Sequence, residues 1–203
     1  MSDIITDRLI IRPFVEADAA ELFEYISNPR VNCFMDDKVT TLEQAKAKAR
    51  KRAKDKTYLA VCLKETGALI GELLLHHDGP EQADTYSVGW NFNEKVEGKG
   101  YASESAQALF EHLFTQRDAR RLYAYVEDNN FKSQKLCEKL GMRKEACFEE
   151  FISFVNNPDG TPKYENTFFV SNLKSEFENF RTEYNEIFSK DPSSITLQLF
   201  DLI

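Results

Sequence analysis

One short segment, residues 97–102, constrains both the fold and the chemistry of this chain. Its letters are EGKGYA, and it follows a strand-like run over residues 86–92 and precedes an apolar-periodic helix. Glycines let the backbone turn sharply and approach a ligand closely. The start of the helix adds unpaired N–H groups and the positive end of a dipole. The segment predicts an anion site, most naturally for a pyrophosphate, although an ordinary strand-to-helix turn would also use Gly-x-Gly.

The residues around the glycines indicate which class of anion-binding motif this segment belongs to. The chain lacks Gly-x-x-x-x-Gly-Lys-Ser/Thr, and Ser103 stands where a dinucleotide fingerprint has its third glycine. The segment resembles the acetyl-CoA motif of the GNAT acetyltransferases, Gln/Arg-x-x-Gly-x-Gly/Ala. Gly100 and Ala102 fit that motif, whereas Glu97 departs from it.

Two further segments extend the resemblance over roughly residues 5 to 177. Residues 130–142 are similar to the second GNAT signature, Asn-x-x-Ser/Ala followed by a helix that ends in Lys-Leu-Gly-Phe. Residues 6–13 are similar to the start of the branch that acetylates the N-termini of ribosomal proteins and related amines. The resemblance places a GNAT domain at residues 1–177 and leaves residues 178–203 as a C-terminal extension.

The hydrophobic periodicity predicts an α+β fold. The pattern gives a strand, two helices, a three-strand meander, a helix, a strand, a helix and a hairpin. The strands are expected at residues 7–14, 58–63, 68–76, 86–92, 121–126, 142–155 and 163–173, and the helices at 16–27, 41–56, 103–116 and 133–140. This order is that of the GNAT fold, a mixed, mostly antiparallel central sheet of six to seven strands flanked by helices.

Composition and charge limit the partners. The net charge of −8 disfavours nucleic acid or an anionic membrane and suits a cationic substrate, although surplus acid also serves solubility. The basic helix at residues 41–56 lacks interleaved aromatics, so it is interpreted as a solvated surface. Four widely spaced cysteines and three histidines predict no metal site. The absence of a signal or membrane-length apolar run predicts a cytoplasmic protein.

The resemblance implies that acetyl-CoA is the co-substrate and that its acetyl group passes to an amine by direct attack on the thioester. The residues expected to hold the cofactor are Phe92, Glu97, Gly98, Lys99, Gly100, Tyr101, Ala102, Asn130 and Ser133. Many relatives stabilise the departing thiolate with a tyrosine, and Cys137 stands at that position here. Ser133, at a helix N-terminus, is therefore the expected hydrogen-bond donor to the sulfur, with N-capping as its alternative role.

A base must also take a proton from the acceptor amine. Glu72 in the meander and Glu150 after the last short helix are ranked level as candidates, and either could be a surface acid instead. Glu149, His76 and His77 are further candidates. Strand parity alone leaves open which of these side chains faces the cleft.

The extension carries apolar residues at helical spacing up to Phe188 and then an alternating, strand-like tail. It predicts packing on the domain or a homodimer contact. Two functions follow: an N-acetyltransferase acting on a protein N-terminus or a small cationic amine, or a non-catalytic acyl-CoA-binding or regulatory protein. The missing tyrosine and the departure at Glu97 favour the second.

Overall fold

The computed structural model describes residues 2–179. A sheet of eight strands runs through it in the order β1-β2-β3-β4-β5-β6-β8-β7. The strands are β1 Ile4–Ile5, β2 Leu9–Pro13, β3 Tyr58–Leu63, β4 Leu69–His77, β5 Thr85–Phe92, β6 Arg121–Glu127, β7 Arg143–Asn156 and β8 Pro162–Leu173. The expectations for residues 180–203 lie outside the described residues.

The predicted α+β architecture with a mixed, mostly antiparallel sheet is confirmed. Every neighbouring pair of strands is antiparallel except β5 and β6, which run parallel. The sheet has one strand more than the six to seven expected. The additional strand, β1, is two residues long, which is too short to show an alternating pattern in the sequence.

Four helices accompany the sheet: α1 Ala19–Ile26, α2 Leu42–Lys54, α3 Tyr101–Gln116 and α4 Phe131–Lys139. Residues 174–179 are also helical. Helix α2 starts with a capping box, in which the Thr41 side chain accepts from the Gln44 N–H and the Gln44 side chain accepts from the Thr41 N–H. Among the described residues, no helix is long and apolar enough to cross a membrane.

The sheet is covered on both faces. On β3, Leu59 and Val61 belong to the core beneath α3, whereas Ala60 and Cys62 belong to the core beneath α1 and α2. The prediction of a wholly solvated α2 surface was wrong at Arg52, of which 2% is exposed. Arg52 extends the buried stripe of α2 that also holds Ala45 and Ala49, because positions i, i+4 and i+7 share one helix face.

The parallel pair creates the opening in the sheet. Strands β5 and β6 pair only through residues 85–87 and 121–123, yet each strand continues for several residues beyond them. The two strands therefore separate toward their C-terminal ends. There, β5 leads to the glycine segment and β6 leads to α4, so both motifs recognised in the sequence meet at the separation.

Candidate active site

A cleft of about 490 Å³ opens between the separated ends of β5 and β6. Its walls include residues 88–92 and 124–127, the glycine segment, the first turns of α4 and parts of residues 24–34. All of the residues expected to hold the cofactor line this cleft except Lys99. The two sequence motifs, about 30 residues apart in the chain, thus share one cavity.

The glycine segment has the backbone geometry of an anion loop. Gly98 and Gly100 adopt φ of 76° and 79°, which L side chains rarely adopt. Helix α3 begins at Tyr101 with Gly100 as its N-cap, and among residues 2–179 no side chain caps that end. Its first N–H groups have no intrahelical partner, so they are available to a bound anion. Arg8 braces the loop by donating from Nη1 to the Lys99 carbonyl oxygen at 3.0 Å.

Glu97, which departs from the family motif, is neutralised by two cations. Its carboxylate lies 2.6 Å from Arg30 Nη1 and 2.5 Å from Lys132 Nζ. Lys132, followed by Arg30, holds the pKa of Glu97 below its usual range. Lys95, although close to Glu97 in sequence, pairs with Glu24 at 2.9 Å instead. A carboxylate beside an anion site repels a bound anion, and the two cations reduce that repulsion.

Ser133 lies in the first turn of α4 with its hydroxyl held by an indole. Asn130 is the N-cap, and its Oδ1 accepts from the Ser133 N–H at 3.2 Å. The alternative role of Ser133 as the cap thus falls to Asn130. Trp90 Nε1 donates to Ser133 Oγ at 3.1 Å, which leaves the hydroxyl proton free for a further acceptor. Sequence reasoning missed Trp90, whose only signal was its position in a strand beside the glycine segment.

Cys137 occupies the position where many relatives have a tyrosine. Only 2% of the residue is exposed, and it belongs to the core beneath α3. Burial raises the pKa of the Cys137 thiol to about 12. The thiol is therefore neutral near pH 7 and does not line the cleft, in keeping with a packing role.

The two candidate bases lie outside the cleft lining. Glu72 is fully buried and forms an ion pair with Arg52, and burial raises the pKa of its carboxyl to about 7. It pairs across the sheet with Asn91, which does line the cleft. Glu150 is exposed at an irregular point of β7 with φ of 46°, and its N–H donates to Asn166 Oδ1 at 2.9 Å.

A different buried carboxylate reaches the cleft. Glu127 ends β6, is 8% exposed and lines the cavity together with Cys33. Burial, followed by the charge of Glu127 and a hydrogen bond to it, raises the pKa of the Cys33 thiol to about 12. The sequence analysis did not single out Glu127. Its only local signal was an acid immediately after the buried strand residue Val126.

Comparison with known proteins agrees with this geometry. A family model described as "Acetyltransferase (GNAT) domain" matches residues 8–143. An uncharacterised N-acetyltransferase of Bacillus subtilis, YnaD, is 36% identical over 150 residues, which cover 73% of this chain and 87% of YnaD.

Solved structures show the same fold. A GNAT-family acetyltransferase from Bacillus anthracis has a TM-score of 0.76 and 30% identity, covering 86% of this chain and 100% of that one. The ribosomal-protein-S5-alanine acetyltransferase from Vibrio fischeri has a TM-score of 0.66, covering 87% of this chain and 99% of that one. Its identity of 17% supports a shared fold only.

Proposed function

Since this chain belongs to the GNAT acetyltransferase family and is thereby an acyltransferase, we propose that it moves the acetyl group of acetyl-CoA to a primary amine. The acceptor is a protein N-terminus or a small cationic amine, and its nitrogen attacks the thioester directly. The observation that carries the proposal is the shared cleft. An uncapped helix N-terminus and the tethered hydroxyl of Ser133 both face it.

The backbone holds the pyrophosphate of the cofactor in this proposal. The N–H groups of residues 98–102 provide the donors, and the dipole of α3 contributes about 0.3 to 1 kcal/mol. Lys135 and Lys139 of α4 line the same cleft and supply positive charge for the phosphates, whereas Lys132 pairs with Glu97. Asn130 contacts the pantetheine arm while its Oδ1 caps α4.

Ser133 assists departure of the thiolate. Bound acetyl-CoA supplies an activated acetyl thioester, and the carbon–sulfur bond breaks as the amine nitrogen bonds to the carbonyl carbon. Because Trp90 fills one acceptor position of Ser133 Oγ, the hydroxyl proton can point to the sulfur. A serine hydroxyl is a weak acid, so its contribution is a hydrogen bond that stabilises the developing charge.

The proton of the amine needs an acceptor, and Glu72 suits this role better than Glu150. A base works best when its pKa is near the working pH, and burial brings the pKa of Glu72 to about 7. Glu72 is the cross-strand neighbour of Asn91, and it does not line the cleft itself. Proton transfer to Glu72 therefore requires an intervening water.

The buried Cys137 favours a second candidate function, a non-catalytic acyl-CoA-binding protein. The family tyrosine is missing, and the residue in its place is a neutral, buried thiol. In this alternative, the glycine segment binds acetyl-CoA but no amine is acetylated.

Calorimetric titration with acetyl-CoA tests the anion loop. The wild type is expected to bind at micromolar strength, and Gly100→Asp is expected to lose binding because a carboxylate enters the pyrophosphate site. Gly67→Asp is the matched control, because Gly67 has a similar φ of 73° and lies in the turn between β3 and β4. Wild type that fails to bind would refute the acetyltransferase proposal.

Release of CoA in the presence of an amine panel separates the two functions. The enzyme releases CoA with at least one amine, and Ser133→Ala slows that release while leaving acetyl-CoA binding intact. Binding without turnover across the panel would instead support the non-catalytic protein.

A further inference from the structure

We propose that the ammonium group of the acceptor binds in a buried pocket formed by Cys33, Glu127, Glu165 and Thr167, here called the acid pocket. This inference rests on the proposed function and assigns the acceptor class, an aliphatic amine that arrives positively charged. The acid pocket lies on the face of the sheet opposite α4.

Strand geometry brings the acid pocket together. Glu127 of β6 and Thr167 of β8 are directly paired across the sheet, and Glu165 lies two residues from Thr167 on the same strand. Because side chains alternate along a strand, these three point to one face. The neighbouring Val126 points to the other face, where it joins the core that includes Leu136 of α4. The acid pocket is thus separated by the sheet from the helix that carries Ser133.

Two oxygen atoms in the acid pocket lack partners. Glu165 is 5% exposed; its Oε1 accepts from Asn32 Nδ2 at 2.6 Å and from Asn129 Nδ2 at 3.3 Å. Its Oε2 is buried without a hydrogen-bond partner among the described residues, and so is the Oγ1 of Thr167, which is 2% exposed. Buried polar atoms in native proteins are nearly always satisfied, so an absent donor is indicated.

The two carboxyl groups of the acid pocket favour a positively charged group as the absent hydrogen-bond donor. Within residues 2–179, neither Glu127 nor Glu165 has an ion-pair partner, although most buried carboxylates do. The raised pKa keeps the Cys33 thiol neutral, so the thiol adds no negative charge to the acid pocket. An ammonium group offers three N–H donors and one positive charge, which matches the carboxylate of Glu127, Glu165 Oε2 and Thr167 Oγ1.

The acid pocket adjoins the cleft. Glu127, Cys33 and Tyr125 line the cleft, whereas Thr167, paired with Glu127 across the sheet, and Glu165 lie beside them outside its lining. Tyr125 is 49% exposed and lines the cleft, and an aromatic ring attracts a cation. An aliphatic ammonium that enters the cleft therefore meets Glu127 first, and Glu165 and Thr167 lie next to it.

Nuclear magnetic resonance titration of the full-length chain with butylammonium tests the assignment, with 1-butanol as a neutral probe of similar size. Butylammonium is expected to shift the amide resonances of Cys33 and Thr167, and 1-butanol is not. Glu165→Gln and Glu127→Gln are expected to weaken butylammonium binding about tenfold, as loss of a charge-assisted contact predicts. The exposed Glu65→Gln, in the turn between β3 and β4, is the control and should bind as the wild type does.

Thr167→Val removes only the hydroxyl and provides a second test if a glutamine variant does not fold. It should weaken butylammonium binding by a smaller factor than the glutamine variants do. Equal binding of 1-butanol, or unchanged butylammonium affinity in the folded pocket variants, would overturn the assignment. Calorimetry with acetyl-CoA distinguishes this failure from that of the proposed function, because pocket variants that bind acetyl-CoA normally leave the cofactor loop intact.

Discussion

Glu72 is expected to make the stability of this protein fall as the pH rises through neutrality. Its carboxyl is fully buried beside Arg52, and burial raises its pKa from 4.5 to about 7. Between these pH values the folded chain holds a proton on Glu72 that the unfolded chain has lost. The stabilisation is therefore fully present below pH 4.5 and disappears as the pH rises past 7.

The magnitude follows from the two pKa values. A difference of one pKa unit corresponds to about 1.36 kcal/mol, so the separation between 4.5 and about 7 gives about 3.4 kcal/mol for complete titration. About 2.5 kcal/mol of this falls between about pH 5 and about pH 8. Glu72→Gln cannot titrate, so its free energy of unfolding should depend less on pH by that amount.

Urea unfolding at several pH values measures the effect, with the midpoint and slope giving the free energy of unfolding. Contributions from other titrating groups cancel when Glu72→Gln is compared with the wild type. The exposed Glu149→Gln should keep the wild-type profile. Profiles of Glu72→Gln and wild type that run parallel from about pH 5 to about pH 8 would refute the assignment of a raised pKa to Glu72. If Glu72 is also the base, kcat/KM should rise to a plateau above about pH 7 and Glu72→Gln should abolish that rise.

Three other contacts give measurable predictions. Glu97→Gln removes a negative charge from the cofactor loop and frees the two cations that pair with it. Calorimetry should therefore show that acetyl-CoA binds about two- to fivefold more tightly. Weaker binding of acetyl-CoA would contradict this prediction. Trp90→Phe removes the hydrogen-bond donor to Ser133 Oγ. This variant should lower kcat for CoA release about five- to tenfold, with the affinity for acetyl-CoA unchanged. An unaltered kcat would argue against a catalytic role for this hydrogen bond. Asp18→Ala removes a buried carboxylate that pairs with the partly buried Arg12 and should lower the free energy of unfolding by about 2–4 kcal/mol in urea. A loss below about 0.5 kcal/mol would be typical of a surface site.

Local sequence features were sufficient to predict the order of helices and strands, because alternation and helical spacing depend on near neighbours in the chain. They also predicted the turn at the glycine segment, whose backbone conformation is set by a few adjacent residues. The boundary errors have local causes as well. Helix α3 begins at Tyr101 rather than at residue 103, because Gly100 takes the left-handed conformation at its start.

The tertiary structure decided what surrounds the site. Trp90 and Ser133 are 43 residues apart in sequence, and their hydrogen bond forms only because β5 ends beside α4. The burial of Glu72 likewise depends on the packing of α2 over the sheet, which turns Arg52 inward.

The sequence by itself determined the family, the order of elements and the cofactor motifs, since each is encoded in short, contiguous patterns. The acid pocket came only from the tertiary structure, because it joins Cys33, Glu127 and Glu165 from three separate segments. The sequence alone does not distinguish a buried glutamate from an exposed one. Only the packing of distant segments excludes water from one and not from the other, and that exclusion sets the charge and the chemistry of the site.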